Sequence, residues 1–155
     1  MPKQKVTPFL WFDSQAEEAA QFYVSLFKDS RIHRVVPGPT GSAMIVEFEL
    51  AGVQFIGLNG GPHYKLTEAF SMSVDCESQA EVEVDELWEK LSEGGSKSQC
   101  AWLKDKYDLS WQIVPSLLPK LMSDPDPAKA GRVMQAMLRM TKIDIAQLQR
   151  AYDGQ

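Results

Sequence analysis

The sequence predicts an α+β fold in which a β-α-β-β-(β) module occurs twice in tandem, followed by C-terminal helices. Three observations predict it. Two Ser-Gln-Ala-Glu segments, each with the form of a helix capping box, begin at Ser14 and Ser78, an offset of 64 residues (78 − 14). The apolar stripes behind them superpose at the same offset, since adding 64 to Ala20, Tyr23, Val24 and Phe27 lands on Val84, Leu87, Trp88 and Leu91. A short apolar run precedes each box. One capping box is a common pattern, whereas boxes, stripes and strands at a single offset point to an internal duplication. The expected organisation is one domain over residues 1–155, with module one at about 5–60, module two at about 68–115 and a helical extension at about 116–155.

Val6 to Phe12 is apolar apart from Thr7 and Pro8, which suits a strand whose proline lies near its start or at a sheet edge. In the first box the Ser14 hydroxyl is placed to accept from the third helical N–H while Glu17 reaches back. Ala16, Ala19, Ala20, Tyr23, Leu26 and Phe27 then recur at three- and four-residue steps, the stripe of a helix lying on a sheet. Arg31 to Val36 reads as a strand ended by Pro37-Gly38-Pro39. Ala43 to Leu50 alternates, with Met44, Val46, Phe48 and Leu50 on one face and Ile45, Glu47 and Glu49 on the other. Ala51-Gly52 makes a tight turn into Val53 to Leu58, as in a hairpin, and Asn59-Gly60-Gly61-Pro62 stops that strand.

From Ala69 the pattern restarts with a strand to Val74, the second box, and a helix carrying Val84, Leu87, Trp88 and Leu91. Gly94-Gly95 ends that helix. Gln99 to Leu103 and Leu109 to Val114 read as two strands joined by the polar turn Lys104 to Asp108, with Pro115 closing the last. Asp126-Pro127 offers an N-cap with proline at the first helical position, and Val133, Met134, Met137 and Leu138 form its stripe. A last helix is expected from near Asp144, carrying Ile145, Leu148 and Tyr152.

The chain holds 16 Lys plus Arg against 21 Asp plus Glu, a formal net charge of -5, and shows no basic stripe of the kind a nucleic-acid footprint needs. Its two cysteines, Cys76 and Cys100, follow a polar start without the apolar core of a signal peptide. Reduced thiols and a cytoplasmic location are therefore expected. No apolar stretch approaches the roughly 20 residues that span a bilayer, so no membrane partner is expected.

Four segments carry a family resemblance: Thr7-Pro8-Phe9-Leu10-Trp11-Phe12-Asp13, Asn59-Gly60-Gly61-Pro62, Cys100-Ala101-Trp102-Leu103-Lys104-Asp105-Lys106 and Ser110-Trp111-Gln112-Ile113-Val114-Pro115. In this order they resemble PhnB-like proteins of the vicinal oxygen chelate (glyoxalase/bleomycin resistance/dioxygenase) superfamily, a group that often carries the name 3-demethylubiquinone-9 3-methyltransferase. The resemblance runs from about Lys5 to Tyr152. It implies that each module forms a curved half of a cup, with helices outside and ligand inside, and that the protein is a homodimer.

Metal-dependent relatives place His, Glu or Gln ligands on the first and last strands of each module. By this resemblance Thr7 stands at the histidine place, its counterpart in the second module lies near Ala69 or Ser71, and Gln112 falls where a glutamate is frequent. A divalent-metal site needs several imidazoles or carboxylates converging on one point, so no metal and no cofactor are expected. His33 and His63 are expected at the surface, away from those strands.

Strand alternation places Thr7, Phe9, Trp11, Glu47, Glu49, Gln54, Ser71, Ser73 and Gln112 on the cup side. Aromatics beside isolated polar groups suit a small-molecule pocket. Glu47 is the candidate base, because a carboxylate among aromatics would have its pKa raised by desolvation; pairing with a cation is the alternative. Trp102 and Lys104-Asp105-Lys106 lie where a loop could hold ligand or form a solvated turn. Cys100 is expected to be a structural thiol, and Asn59-Gly60-Gly61-Pro62, without a Gly-Lys-Ser/Thr ending, a turn. The functional expectation is a metal-independent protein binding a small hydrophobic organic molecule. The alternatives are a metal-assisted lyase, isomerase or dioxygenase with Glu47 as base, and an antibiotic-sequestering protein. Methyl transfer finds no support, since the first strand runs through Asp13-Ser14-Gln15 into its helix without the glycine-rich turn of nucleotide-type cofactors.

Overall fold

A computed structural model of the chain describes residues 4–77 and 81–155. Ser78, Gln79 and Ala80 of the second capping box fall outside that description. The chain divides into two compact units, the first ending at Leu66 and the second beginning at Thr67.

The first unit contains β1 (Phe9–Phe12), α1 (Ala16–Leu26), β2 (Arg31–Pro37), β3 (Ala43–Leu50) and β4 (Val53–Asn59), with the sheet order β1-β4-β3-β2. β1 runs parallel to β4 and the other pairs are antiparallel. The core forms where two periodicities meet. α1 buries Ala16, Ala19, Ala20 and Tyr23, and the sheet presents Leu10, Phe12, Val46, Phe48, Leu50 and Phe55 to it. Small alanines let the helix approach closely, and each large buried side chain contributes about 1.5–3 kcal/mol. The Ala51-Gly52 turn has positive φ at both positions, 47° and 87°, the type I′ geometry that matches strand twist.

The start of α1 differs from the expected capping box. Gln15 occupies the cap position without a side-chain cap, and Asn59 Oδ1, from the end of β4, accepts from the Ala16 N–H at 2.8 Å. The orphan donor of the first turn is thus satisfied from across the sheet.

The second unit contains β5 (Ser71–Cys76), α2 (Glu81–Ser92), β6 (Ser96–Lys97), β7 (Trp102–Lys104) and β8 (Ser110–Pro115), in the order β5-β8-β7-β6. Strand order and the parallel outer pair repeat those of the first unit. Phe12 is in register with Asn59, and Cys76 with Pro115. The offset between the units therefore falls from 64 (76 − 12) to 56 (115 − 59), because β6 and β7 are short.

Gln99 to Ala101, expected as strand, is instead a turn closed by the Trp102 N–H to Gln99 C=O bond, with φ of 59° at Cys100 and 77° at Ala101. The N–H groups of Cys100 and Ala101 donate to the carbonyls of Met140 and Thr141, so the C-terminal extension holds the turn in place. That extension comprises α3 (Leu117–Met122), α4 (Pro127–Leu138) and α5 (Ile145–Asp153). Asp126 caps α4 through the Ala128 N–H, with Pro127 behind it, and Asp144 caps α5 through the Gln147 N–H. Leu118, Leu121, Val133, Met140, Ile143 and Leu148 form its core with Ala101. The α4 stripe is narrower than expected: Val133 is buried, while Met134 and Leu138 are 44% and 49% exposed. Among the described residues, no helix is long and apolar enough to cross a membrane.

Candidate functional site

Each sheet has one face against its helix and one open face, and the expected ligand contacts lie on the open faces. On the first sheet, Phe9 pairs with Ile56 and Trp11 with Leu58, while Glu47 is opposite Ile56 and Glu49 opposite Gln54. Because paired residues point the same way, Phe9, Trp11, Ile45, Glu47, Glu49, Gln54, Ile56 and Leu58 share the side away from α1. Thr7, half-buried, precedes β1 and belongs to no strand.

Asn59-Gly60-Gly61 is the seat of Trp11. The indole Nε1–H donates to the Gly61 carbonyl at 2.9 Å, and Tyr64 meets the ring edge-on at 4.9 Å between centroids. A Cβ on Gly60 would lie 2.3 Å from Trp11 Cζ2, so only glycine leaves room for the ring. The Gly60 and Gly61 N–H groups bond to the Phe12 and Asp13 carbonyls, and Gly61 has φ of +88°. Asn59 completes the arrangement, its Nδ2 donating to the Ala43 carbonyl. Sequence reading identified this segment as a turn and missed Tyr64, which follows it.

At the other end of the face Arg34 donates from Nε and Nη2 to the two oxygens of Glu47, both at 2.9 Å. This pair corrects the expected pKa of Glu47: hydrogen bonding to Arg34 holds the carboxyl below its ordinary value, and Arg34 is raised in turn. Simple alternation along Arg31 to Val36 would put Arg34 on the face opposite Arg31. A bulge between Ile32 and Arg34 makes His33 the extra residue, so Arg31 faces Glu49 and Arg34 faces Glu47. His33 Nε2 lies 3.5 Å from Glu49 Oε1, which also accepts from Gln54 Nε2. Gln4 clips the Gln54 backbone, accepting from its N–H and donating to its carbonyl, both at 3.0 Å.

The open face of the second sheet carries Ser71, Ser73, Gln112, Trp102, Lys104 and Ser110, by the pairings Ser71 to Ser110, Ser73 to Gln112, Trp102 to Gln112 and Lys104 to Ser110. Gln112 Nε2 donates to Ser71 Oγ at 2.9 Å. Ser110, absent from the expected set, is 1% exposed, and its hydroxyl has no hydrogen-bond partner among the described residues. Such a buried hydroxyl costs free energy unless a further group meets it. Lys104 pairs with Glu68 at 2.5 Å, which raises the lysine and lowers the glutamate.

Asp105 is no solvated turn residue. It is 1% exposed, its Oδ1 accepts from the N–H groups of Tyr107 (2.8 Å) and Leu109 (3.1 Å), and its Oδ2 accepts from Trp111 Nε1 (2.8 Å). It builds the β7–β8 connection and is not free to hold ligand. Cys76 is buried, and desolvation pushes its thiol up to about 12.

The donor set does not fit a divalent metal. Among the described residues no three His, Cys, Asp or Glu side chains converge to hold one. Thr7, Ala69, Ser71 and Gln112, the positions the resemblance marks for ligands, offer only hydroxyls, a methyl and an amide, and His33 is turned to Glu49.

The family description 3-demethylubiquinone-9 3-methyltransferase matches residues 4–114. A search of curated proteins gives no match. Among solved structures, a putative 3-demethylubiquinone-9 3-methyltransferase, PhnB protein, from Bacillus cereus is 31% identical with a TM-score of 0.67, covering 73% of this chain and 100% of that one. Protein PA1353 from Pseudomonas aeruginosa is similar in fold, at 16% identity and a TM-score of 0.60, covering 73% of this chain and 98% of that one. A glyoxylase/bleomycin resistance protein/dioxygenase domain from Frankia sp. EAN1pec also matches, at 16% identity and a TM-score of 0.48, covering 74% of this chain and 93% of that one. The match over the first unit and the sheet of the second, together with the Bacillus cereus structure, shows that the chain belongs to the PhnB-like family described as 3-demethylubiquinone-9 3-methyltransferase.

Proposed function

We propose that the chain binds a small organic molecule with an apolar body on the open face of its first sheet, without a metal ion. The observation that carries this reading is the pair of aromatics on a face left uncovered by α1: Phe9 is 56% exposed, and Trp11 is locked in one orientation by Gly61 and Tyr64. A rigid indole next to Ile56 and Leu58 offers stacking area at low entropic cost. Gln54 and Glu49 supply polar contacts beside it, and Thr7 is assigned to the rim. On the second sheet, taken by itself, Ser71, Ser73, Gln112 and Trp102 are proposed as the ligand contacts of its own open face.

Glu47 enters as a carboxylate clamped by Arg34, which makes it a poorer base than the sequence suggested. Binding without turnover is therefore favoured over a lyase or isomerase, and methyl transfer is not proposed. The resemblance to paired-module relatives makes a homodimer part of the proposal, which size-exclusion chromatography with light scattering would refute by finding one chain per particle.

The test is a fluorescence titration of the purified chain with a panel of small aromatic and alicyclic compounds. Trp88 and Trp111 are fully buried, and Trp11 is the tryptophan that the open face of the first sheet carries, so quenching that reports that face is expected from Trp11. The expected result is saturable quenching that Trp11→Phe abolishes, with no product in the mixture. Quenching unchanged in Trp11→Phe overturns the placement, and stoichiometric tightly bound zinc, iron or nickel in the purified protein overturns the metal-free part. Glu47→Gln separates catalysis from binding: lost turnover with retained binding restores the base role.

A further inference from the structure

The extension that follows β8 has a charge opposite to the rest of the chain. Residues 116–155 hold Lys120, Lys129, Arg132, Arg139, Lys142 and Arg150 against Asp124, Asp126, Asp144 and Asp153, a net of +2, while the preceding residues carry -7 (-5 − 2). This contrast escapes a search for basic runs because the cations are spaced along helices. Their placement gives it meaning. A groove of about 800 Å³ lies between α4 and α5, and every charged side chain that lines it is an arginine: Arg132 and Arg139 from the α4 wall, Arg150 from the α5 wall. Glutamines 135 and 147 supply neutral hydrogen-bonding groups, and Gly131 leaves its floor open.

We propose that this groove is a second binding site, for a small organic molecule bearing two anionic groups, phosphate or carboxylate, about 10 Å apart. The spacing is taken from the backbone positions, Arg132 within α4 and Arg139 at its C-cap, seven residues apart at 1.5 Å each, roughly 10 Å in all. Arg132 is held in place: its Nε and Nη2 donate to the Ala151 and Tyr152 carbonyls, both at 2.8 Å, which fixes the guanidinium and leaves other N–H donors for a ligand. Arg139 and Arg150 are exposed and enter no ion pair among the described residues. Guanidinium groups suit such anions because their fork matches two oxygens of a phosphate or carboxylate. None of the residues that line the groove belongs to the aromatic face.

The test is isothermal titration of the full chain at low salt with octane-1,8-diphosphonate, methylenediphosphonate and a hexaglutamate peptide. The long diphosphonate is expected to bind at least about tenfold more tightly than the short one, and Arg139→Gln/Arg150→Gln to weaken it at least about tenfold. Circular dichroism and the urea midpoint of the double variant check its folding, and Arg150→Lys, which keeps the charge, should lose part of the affinity. Trp11→Phe should leave this binding unchanged. Equal affinity in the double variant, no preference for the long diphosphonate, or no heat at millimolar concentration would overturn the proposal. Tighter binding of hexaglutamate than of the diphosphonate would overturn it in favour of a docking surface for acidic protein segments.

Discussion

Replacing Asp105 with Asn changes one atom and should cost about 2 kcal/mol. The carboxylate is 1% exposed and accepts from two backbone N–H groups and the Trp111 indole. Asparagine keeps an oxygen for Tyr107 and Leu109 but turns an NH2 toward the indole N–H, donor against donor. One hydrogen bond to a charged acceptor is lost, about 1.5–3 kcal/mol, and a buried donor is stranded. Asp105→Ala strands all three donors and should cost about 4 kcal/mol or more. In urea, with m near about 2 kcal/mol/M for a chain of this size, the Asn variant should lower the midpoint by about 1 M. A double-mutant cycle isolates the bond: in a Trp111→Phe background the Asn substitution should lose most of its cost. A midpoint within about 0.2 M of the parent, or a coupling below about 0.5 kcal/mol, would refute the assignment.

Gly60→Ala should displace the Trp11 ring, cost about 1–3 kcal/mol and alter tryptophan emission; an unchanged spectrum would show that the ring does not rest on Gly60. Ala51→Asn should stabilise by about 0.5–1 kcal/mol, seen as a rise of about 2 °C in Tm, because Ala51 sits at φ 47° in a turn that prefers Asn-Gly. At pH 8 iodoacetamide should label Cys100 long before Cys76, whose thiol is pushed up to about 12 and holds only about one thiolate in ten thousand there; mass spectrometry showing comparable labelling would contradict its burial.

Elements whose pattern maps directly onto burial were legible. The α1 alanines with Tyr23, and Val46, Phe48 and Leu50 on β3, were read correctly because helix and strand periods alone decide which side faces the core. Features set by one extra residue or by a distant segment were not. The bulge at His33 re-aims Arg34 onto Glu47 and converts a candidate base into half of an ion pair, and alternation carries no sign of it. Asp105 looked like one of three polar turn residues, yet it is buried because Trp111 and two backbone N–H groups need its oxygens. Cys100 and Ala101 look apolar enough for a strand, but bonds to Met140 and Thr141 hold them as a turn. On the open face of the first sheet, Phe9, Trp11, Glu47, Glu49 and Gln54 were grouped correctly by alternation, whereas Tyr64 contacts Trp11 from a loop with no periodicity to reveal it.

Two-dimensional 1H–15N spectra of the indole and side-chain amide groups during titration with the tightest-binding panel compound test ligand binding at the first sheet most directly. Trp11 and Gln54 should move in step with saturation, while the buried indoles of Trp88 and Trp111 stay fixed. Saturable binding that leaves the Trp11 resonance unmoved would contradict the account.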